Sequence, residues 1–127
     1  MNWKWIGLFS LTGLVMGLVT SLVGISPSLE PVVWTAFYAL WGIVIVRERL
    51  PPVLTPLVAG VGTGILTGLT QFALWDSYVA SNPWYADQIT DDVGLGAILG
   101  FAVVMGAIWG LLVGAVCWGV QRFGSGS

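Results

Sequence analysis

The chain lacks histidine altogether and contains a single cysteine among its 127 residues. A disulfide within the chain needs two cysteines, and zinc sites are built mainly from Cys and His. We therefore expect no disulfide framework, no metal site of this kind and no cofactor. Charge is also scarce, because only 8% of the residues are charged, whereas a soluble domain carries roughly 25%. So few charged side chains cannot provide a surface that is soluble in water, and we predict that the chain lies in lipid.

Residues 60–76, GVGTGILTGLTQFALWD, are dense in glycine and threonine, as phosphate-binding loops are. A P-loop, however, needs Gly-Lys-Ser/Thr, and the only lysine in the chain is Lys4. The stretch contains no G-x-G-x-x-G and has no strand–turn–helix setting. It therefore predicts a helix that packs. Without a nucleophile–base pair or a metal cluster we expect no enzyme, and we expect no nucleic-acid partner.

Four windows of the sequence reach the roughly 20 mostly apolar residues that a helix needs to cross a bilayer. The helix start and stop signals agree with these windows, since Thr55-Pro56 suits a helix start and Pro51-Pro52 stops the preceding helix. We predict an all-α, polytopic membrane protein whose four transmembrane helices form one compact bundle over residues 1–123. The last four residues, GSGS, are typical of an appended linker over 124–127. The predicted spans are residues 5–25, 31–50, 56–75 and 93–120.

Basic residues fall on one side of these four spans. The chain's four Lys and Arg residues are Lys4, Arg47, Arg49 and Arg122. The positive side is cytoplasmic by the positive-inside rule. We therefore predict an integral protein of the bacterial inner membrane with both termini in the cytoplasm. The acidic residues expected on the opposite side are Glu30, Asp76, Asp87, Asp91 and Asp92.

Lys4 followed by an apolar run is also typical of a secretory signal peptide. The run over residues 5–25 is longer than the usual stretch of about 7–15 residues, and no A-x-A-like site follows it. We therefore interpret this run as the first membrane span.

Glycines recur at four-residue spacing in three of the predicted spans, which places them on one helix face. In lipid, small residues associate helices because they let backbones approach closely. The second span instead carries an aromatic row, and we expect its large rings to fill a tight bundle opposite the glycine grooves. The row is Trp34, Phe37, Tyr38 and Trp41. The predicted packing glycines are Gly13, Gly17, Gly60, Gly64, Gly68, Gly106, Gly110 and Gly114.

A polar line runs along one face of the third span and ends at Gln71, whose amide needs partners below the membrane surface. Two interpretations are open. The line bonds to a neighbouring helix, or it lines a narrow polar pathway that the first span faces. The pathway residues would be Thr63, Thr67, Thr70 and Gln71, faced by Thr12, Thr20 and Ser21.

The longest connection is the outer loop that follows the third span. Asn82-Pro83 can begin a short extracytoplasmic helix between spans 3 and 4, which would carry Trp84 and Tyr85 to the headgroups. Three aspartates would share a face if that helix continued, and they could then hold a hard cation through oxygen ligands. The alternative is helix capping and solvent exposure. The aspartates are Asp87, Asp91 and Asp92.

The glycine-rich first, third and last spans and the outer loop SNPWYADQ resemble those of small four-span bacterial membrane proteins of uncharacterised function. This resemblance covers most of the chain and implies no activity. Small multidrug pumps share the layout but need a glutamate within the first span, which is absent here. We expect an oligomeric channel or facilitator for a small solute. The alternative is a non-catalytic accessory or assembly subunit of a larger membrane complex. The expected partners are the lipid bilayer and either further copies of the chain or another membrane protein.

Overall fold

A computed structural model describes residues 2–26, 28–83 and 95–124, and within these ranges all regular structure is helical. Five helices are described, of which four are long and apolar and one is short. The all-α prediction is confirmed for these ranges. The four long helices have the length and composition needed to cross a membrane. The helices are α1 (Trp3–Leu22), α2 (Glu30–Arg47), α3 (Leu54–Ala73), α4 (Trp75–Ser81) and α5 (Leu95–Gly124).

Helix α2 ends at Arg47, three residues before the predicted end of the second span at residue 50. Arg49 has a φ of 52°, the left-handed conformation that closes many helices. The Arg49 N–H donates to the Val46 carbonyl at 3.3 Å, and the Leu50 N–H donates to the Ile45 carbonyl at 3.0 Å. These two bonds form a Schellman motif, which stops the helix before Pro51.

Helices α1 and α3 pack side by side through small residues. A Cβ on Gly13 would collide with the Thr63 backbone, and one on Gly17 would meet the Thr70 side chain. Since higher numbers on α1 pair with higher numbers on α3, the two helices run parallel.

Helices α3 and α5 are joined by glycines on both sides. Gly60 and Gly106 lie backbone against backbone, and Gly64 lies against the Ala102 carbonyl. Rising numbers on α3 pair with falling numbers on α5, so these helices run antiparallel. The other glycine contacts of this interface pair Gly68 with Leu99, Gly110 with Pro56 and Gly114 with Val53.

The aromatic row of α2 does not fill the glycine grooves, because the backbones of neighbouring helices already occupy them. Its rings pack on other rings instead. Tyr38 stacks on Trp109 of α5 with centroids 5.3 Å apart, and Trp41 stacks on Phe9 of α1 at the same separation of 5.3 Å. Tyr38 and Trp41 also meet edge to face at 4.9 Å. The expectation of rings opposite glycines was therefore wrong.

Helix α4 closes the carboxyl end of α1. The last carbonyls of a helix have no partner within it. Asn82 donates its Nδ2 to the Thr20 carbonyl at 2.7 Å, and the Ser77 hydroxyl donates to the Ser21 carbonyl at 2.6 Å. The chain leaves α1 through Gly24, whose φ of 84° only glycine adopts readily.

The structure has a short helix between the third and fourth long helices, but upstream of the predicted position. Residues 75–81 contain neither Gly nor Pro, and Asn82 ends α4 rather than beginning a helix. The predicted helical residues Trp84 and Tyr85 lie outside the described residues.

Candidate functional site

A cavity of about 640 Å³ opens between α2, α3, α4 and α5. None of the described residues that line it belongs to α1. Its walls are mainly apolar and aromatic, with a small number of polar side chains among them. The polar lining residues in the described part of the chain are Glu30, Tyr38, Thr63, Thr67, Gln71 and Tyr78.

One face of α2 carries a carboxylate followed by two rings. Glu30, Trp34 and Tyr38 are spaced four residues apart, so they lie in a row along the helix. The Trp34 Nε1 lies 3.5 Å from a Glu30 carboxylate oxygen, and the rings of Trp34 and Tyr38 are stacked with centroids 5.7 Å apart. The acidic residue suits the positive end of the helix dipole, and Pro31 suits the first helical turn. The signals that start the helix therefore also bring a negative charge to the cavity.

Tyr38 is the most enclosed member of this row, with only 6% of its surface exposed. Its ring is held between α2 and α5 by stacking on Trp109. No described residue forms a hydrogen bond with its hydroxyl. Because Tyr38 lines the cavity, water or a bound molecule can supply the partner that a hydroxyl normally has.

The side chain of Gln71 extends from α3 to α1. Its Nε2 donates to the Thr20 hydroxyl oxygen at 3.0 Å, and the Thr20 hydroxyl donates in turn to the Met16 carbonyl at 2.7 Å. A hydroxyl has one hydrogen to give, so Thr20 must accept from the amide, and this fixes which end of the Gln71 amide faces it. The Gln71 Oε1 remains an acceptor to which no described residue donates. Because Gln71 also lines the cavity, its amide can offer this acceptor to a bound molecule.

The threonines of the predicted polar line mainly hold helices together. Thr67 lines the cavity, but its hydroxyl donates to the Gly13 carbonyl of α1 at 2.9 Å. The Thr63 hydroxyl points to the Phe9 carbonyl at 3.5 Å, the long limit of a hydrogen bond. Thr70 bonds within its own helix, to Leu66. The hydroxyls of these three threonines are thus directed at backbone carbonyls. Of the four residues in the predicted polar line, Gln71 is the one that keeps a polar group for the cavity.

The α1 residues proposed to face a pathway lie away from the cavity. The Thr12 hydroxyl donates to the Phe9 carbonyl of its own helix at 2.6 Å, and Thr20 serves Gln71 as described. Ser21 is fully buried, and its hydroxyl has no hydrogen-bond partner among the described residues. The structure therefore brings Thr63, Thr67 and Gln71 to the cavity and leaves Thr12, Thr20, Ser21 and Thr70 outside its lining.

The three aspartates weighed as a cation site, Asp87, Asp91 and Asp92, lie outside the described residues. Within residues 2–26, 28–83 and 95–124, no group of three or more Asp, Glu, Cys or His side chains is placed to hold a metal ion. The described residues that line the cavity offer one carboxylate and one amide, with hydroxyl groups, among mostly apolar groups.

Sequence reasoning did not assign Glu30, Trp34, Tyr38 and Trp109 to a site. The sequence predicts Glu30 as an outer charge and the rings of Trp34 and Tyr38 as packing. A signal was present, because a carboxylate and two rings at four-residue spacing share one helix face. The contribution of Trp109 has no such signal, since it depends on how α2 lies against α5.

No protein-family model matches this chain, and neither a curated protein nor a solved structure is similar to it.

Proposed function

We propose that the chain is an integral membrane protein that crosses the bilayer four times with both ends in the cytoplasm. Large apolar side chains are exposed along all four long helices, among them Leu18, Leu40, Leu69 and Val116, and lipid is the solvent that favours such a surface. Tyr38 of α2 meets Trp109 of α5, and Gln121, further along α5, donates to the Ile45 carbonyl further along α2, so α2 and α5 run parallel. The resulting alternation of helix directions supports the orientation because it gathers the basic residues at one end of the bundle, which the positive-inside rule assigns to the cytoplasm.

Within that membrane setting, we propose that the protein is a facilitator whose cavity binds a small solute during passage. The observation that carries this proposal is the cavity between α2 and α5. Its volume of about 640 Å³ lies within the roughly 300–1,000 Å³ typical of small-molecule sites, which are likewise mostly apolar with a few fixed polar groups. Gln71 and Glu30 supply those polar groups here.

The test is uptake by liposomes that contain the purified protein, with radiolabelled glycerol, tetraethylammonium and gluconate as neutral, positive and negative probes. We expect at least one probe to enter faster than it enters protein-free liposomes. Ala97→Trp should reduce that uptake at least about tenfold, because Ala97 lines the cavity and an indole there would fill much of it. Ala115→Trp is the matched control on the same helix, since Ala115 is exposed and outside the cavity.

Gln71→Leu provides a second variant at the polar end of the wall. It removes the amide of a residue that lines the cavity and the bond of that amide to Thr20, so we expect slower uptake. The proposal is wrong if none of the three probes crosses faster with protein than without it. It is also wrong if Ala97→Trp and Ala115→Trp transport equally well.

A further inference from the structure

We infer that the solute for which this cavity is built is a monovalent organic cation, an assignment that rests on the proposed facilitator function. The inference starts from charge. Glu30 is the only charged side chain among the described residues that line the cavity, and no basic residue is among them. An anion would be repelled by this carboxylate, and a neutral solute would leave it unpaired.

The second argument is the aromatic wall. Trp34 and Tyr38 of α2 and Trp109 of α5 form an offset stack, with interplanar angles of 21° and 12° between successive rings. Trp75 and Tyr78 form another stack on the α4 side, with centroids 5.5 Å apart. All five rings line the cavity. Stacking covers some of these faces, but the end rings of each stack keep one face that no ring of the stack covers. Such tryptophan and tyrosine faces attract cations, and sites of this kind bind quaternary ammonium groups.

The polar groups of Gln71 and Thr67 that line the cavity also favour a positively charged solute. The Gln71 amide uses one of its two N–H hydrogens on Thr20, and no described residue donates to its oxygen, so the amide can accept from a cationic ligand. The Thr67 hydroxyl hydrogen is likewise used by the Gly13 carbonyl. A carboxylate, an amide oxygen and ring faces are together complementary to positive charge.

The cation must be organic rather than a metal ion. The described residues include no cluster of three or more Asp, Glu, Cys or His side chains that could ligate a metal, and hard cations need about six oxygen ligands. The cavity is far larger than a dehydrated ion, and most of its wall is apolar. A bulky cation with apolar substituents meets the volume, the rings and the carboxylate together.

Equilibrium binding to the detergent-solubilised full chain tests this inference with two probes of the same shape and opposite charge. Tetraphenylphosphonium should bind saturably, whereas tetraphenylborate should not. This comparison needs no variant and therefore does not depend on whether any substitution folds. Equal saturable binding of the two ions would overturn the assignment.

Substitution of Glu30 then locates the charge. We expect Glu30→Gln to weaken tetraphenylphosphonium binding about tenfold or more, because it removes a charge at contact distance from the bound cation. Glu30→Asp should retain most of the affinity. Glu48→Gln is the matched control, since Glu48 lies at the opposite end of α2 and outside the cavity. An unchanged affinity in Glu30→Gln would also overturn the assignment.

The liposome experiment separates this inference from the function on which it rests. Glycerol uptake without saturable tetraphenylphosphonium binding would overturn the cation assignment and leave the facilitator in place. Saturable, Glu30-dependent binding without uptake of any probe would support the cation site and overturn the facilitator.

Discussion

Helix α5 meets two neighbours in opposite ways. Against α3 it presents glycines, and the two backbones touch at Gly60 and Gly106. Against α2 it presents Trp109, which meets the ring of Tyr38. The first interface is closed along its length, and the second stands beside a cavity of about 640 Å³. The difference shows that the volume of the side chains at a contact decides whether two helices seal against each other or leave space for a solute.

The largest expected effect breaks the closed interface. Gly60→Leu places a side chain where the Gly106 backbone already lies. Neither backbone can move without separating α3 from α5, so we expect a loss of about 3 kcal/mol or more in the free energy of unfolding. Thermal unfolding followed by circular dichroism in detergent measures this loss, which could also appear as failure to purify as a single species.

Gly100→Leu is the control for that experiment, because nothing lies within 4 Å of a Cβ at Gly100 on α5. Replacing a helical glycine by leucine there should change stability by less than about 1 kcal/mol, and in the stabilising direction. Equal destabilisation by both substitutions would mean that the contact between Gly60 and Gly106 does not hold the helices together.

An intermediate effect is expected at the ring contact. Trp109→Ala removes the ring on which Tyr38 stacks and should lower the free energy of unfolding by about 2–3 kcal/mol, toward the lower end for a Trp that is only partly buried. Trp118→Ala on the same helix should cost less than about 1 kcal/mol, since Trp118 is exposed. Denaturant titration of both variants compares them, and similar losses would contradict the role given to Trp109.

The smallest expected effect concerns the hydrogen bond that a threonine of α3 makes to α1. Thr67→Val keeps the shape but removes the hydroxyl that donates to Gly13 on α1. Hydrogen bonds between membrane helices contribute about 0.6 kcal/mol on average, and we expect a loss of about 0.5–1 kcal/mol. Thr70→Val should change stability less, because the Thr70 hydroxyl bonds within α3. The same unfolding assay would contradict this ranking if Thr70→Val were the more damaging change.

The helical class was predictable because apolar length and sparse charge are properties of each segment alone. The end of the second span was not. The sequence Arg47, Glu48, Arg49 gives no glycine signal, yet Arg49 adopts the left-handed conformation and ends the helix. The short helix was predicted too far along the chain for a related reason, since the place of α4 is set by the carbonyls of α1 that its side chains cap.

The candidate site was predictable only in part. Gln71 stood out because an amide in an apolar span needs partners, and its partner on α1 is Thr20. Two interpretations were open for the threonines of α3, bonding to a neighbouring helix or lining a pathway. The Thr67 hydroxyl bonds to the Gly13 carbonyl of α1, and a Cβ on Gly13 would collide with the Thr63 backbone. The cavity lies between α3 and the helices α2, α4 and α5. Its place depends on how α2 lies against Trp109 of α5, and the sequence of a single span does not contain that information.

The capping of α1 affects when this helix can be completed during synthesis of the chain. Thr20 receives the Asn82 amide from 62 residues further along the chain. At a synthesis rate of about 5–20 residues per second, a ribosome needs roughly 3–12 s to reach that residue. Throughout that interval the last carbonyls of α1 lack the partners that they have in the finished protein. The first helix to be made is therefore among the last to be completed, and a nascent chain stopped before residue 77 would leave its end open.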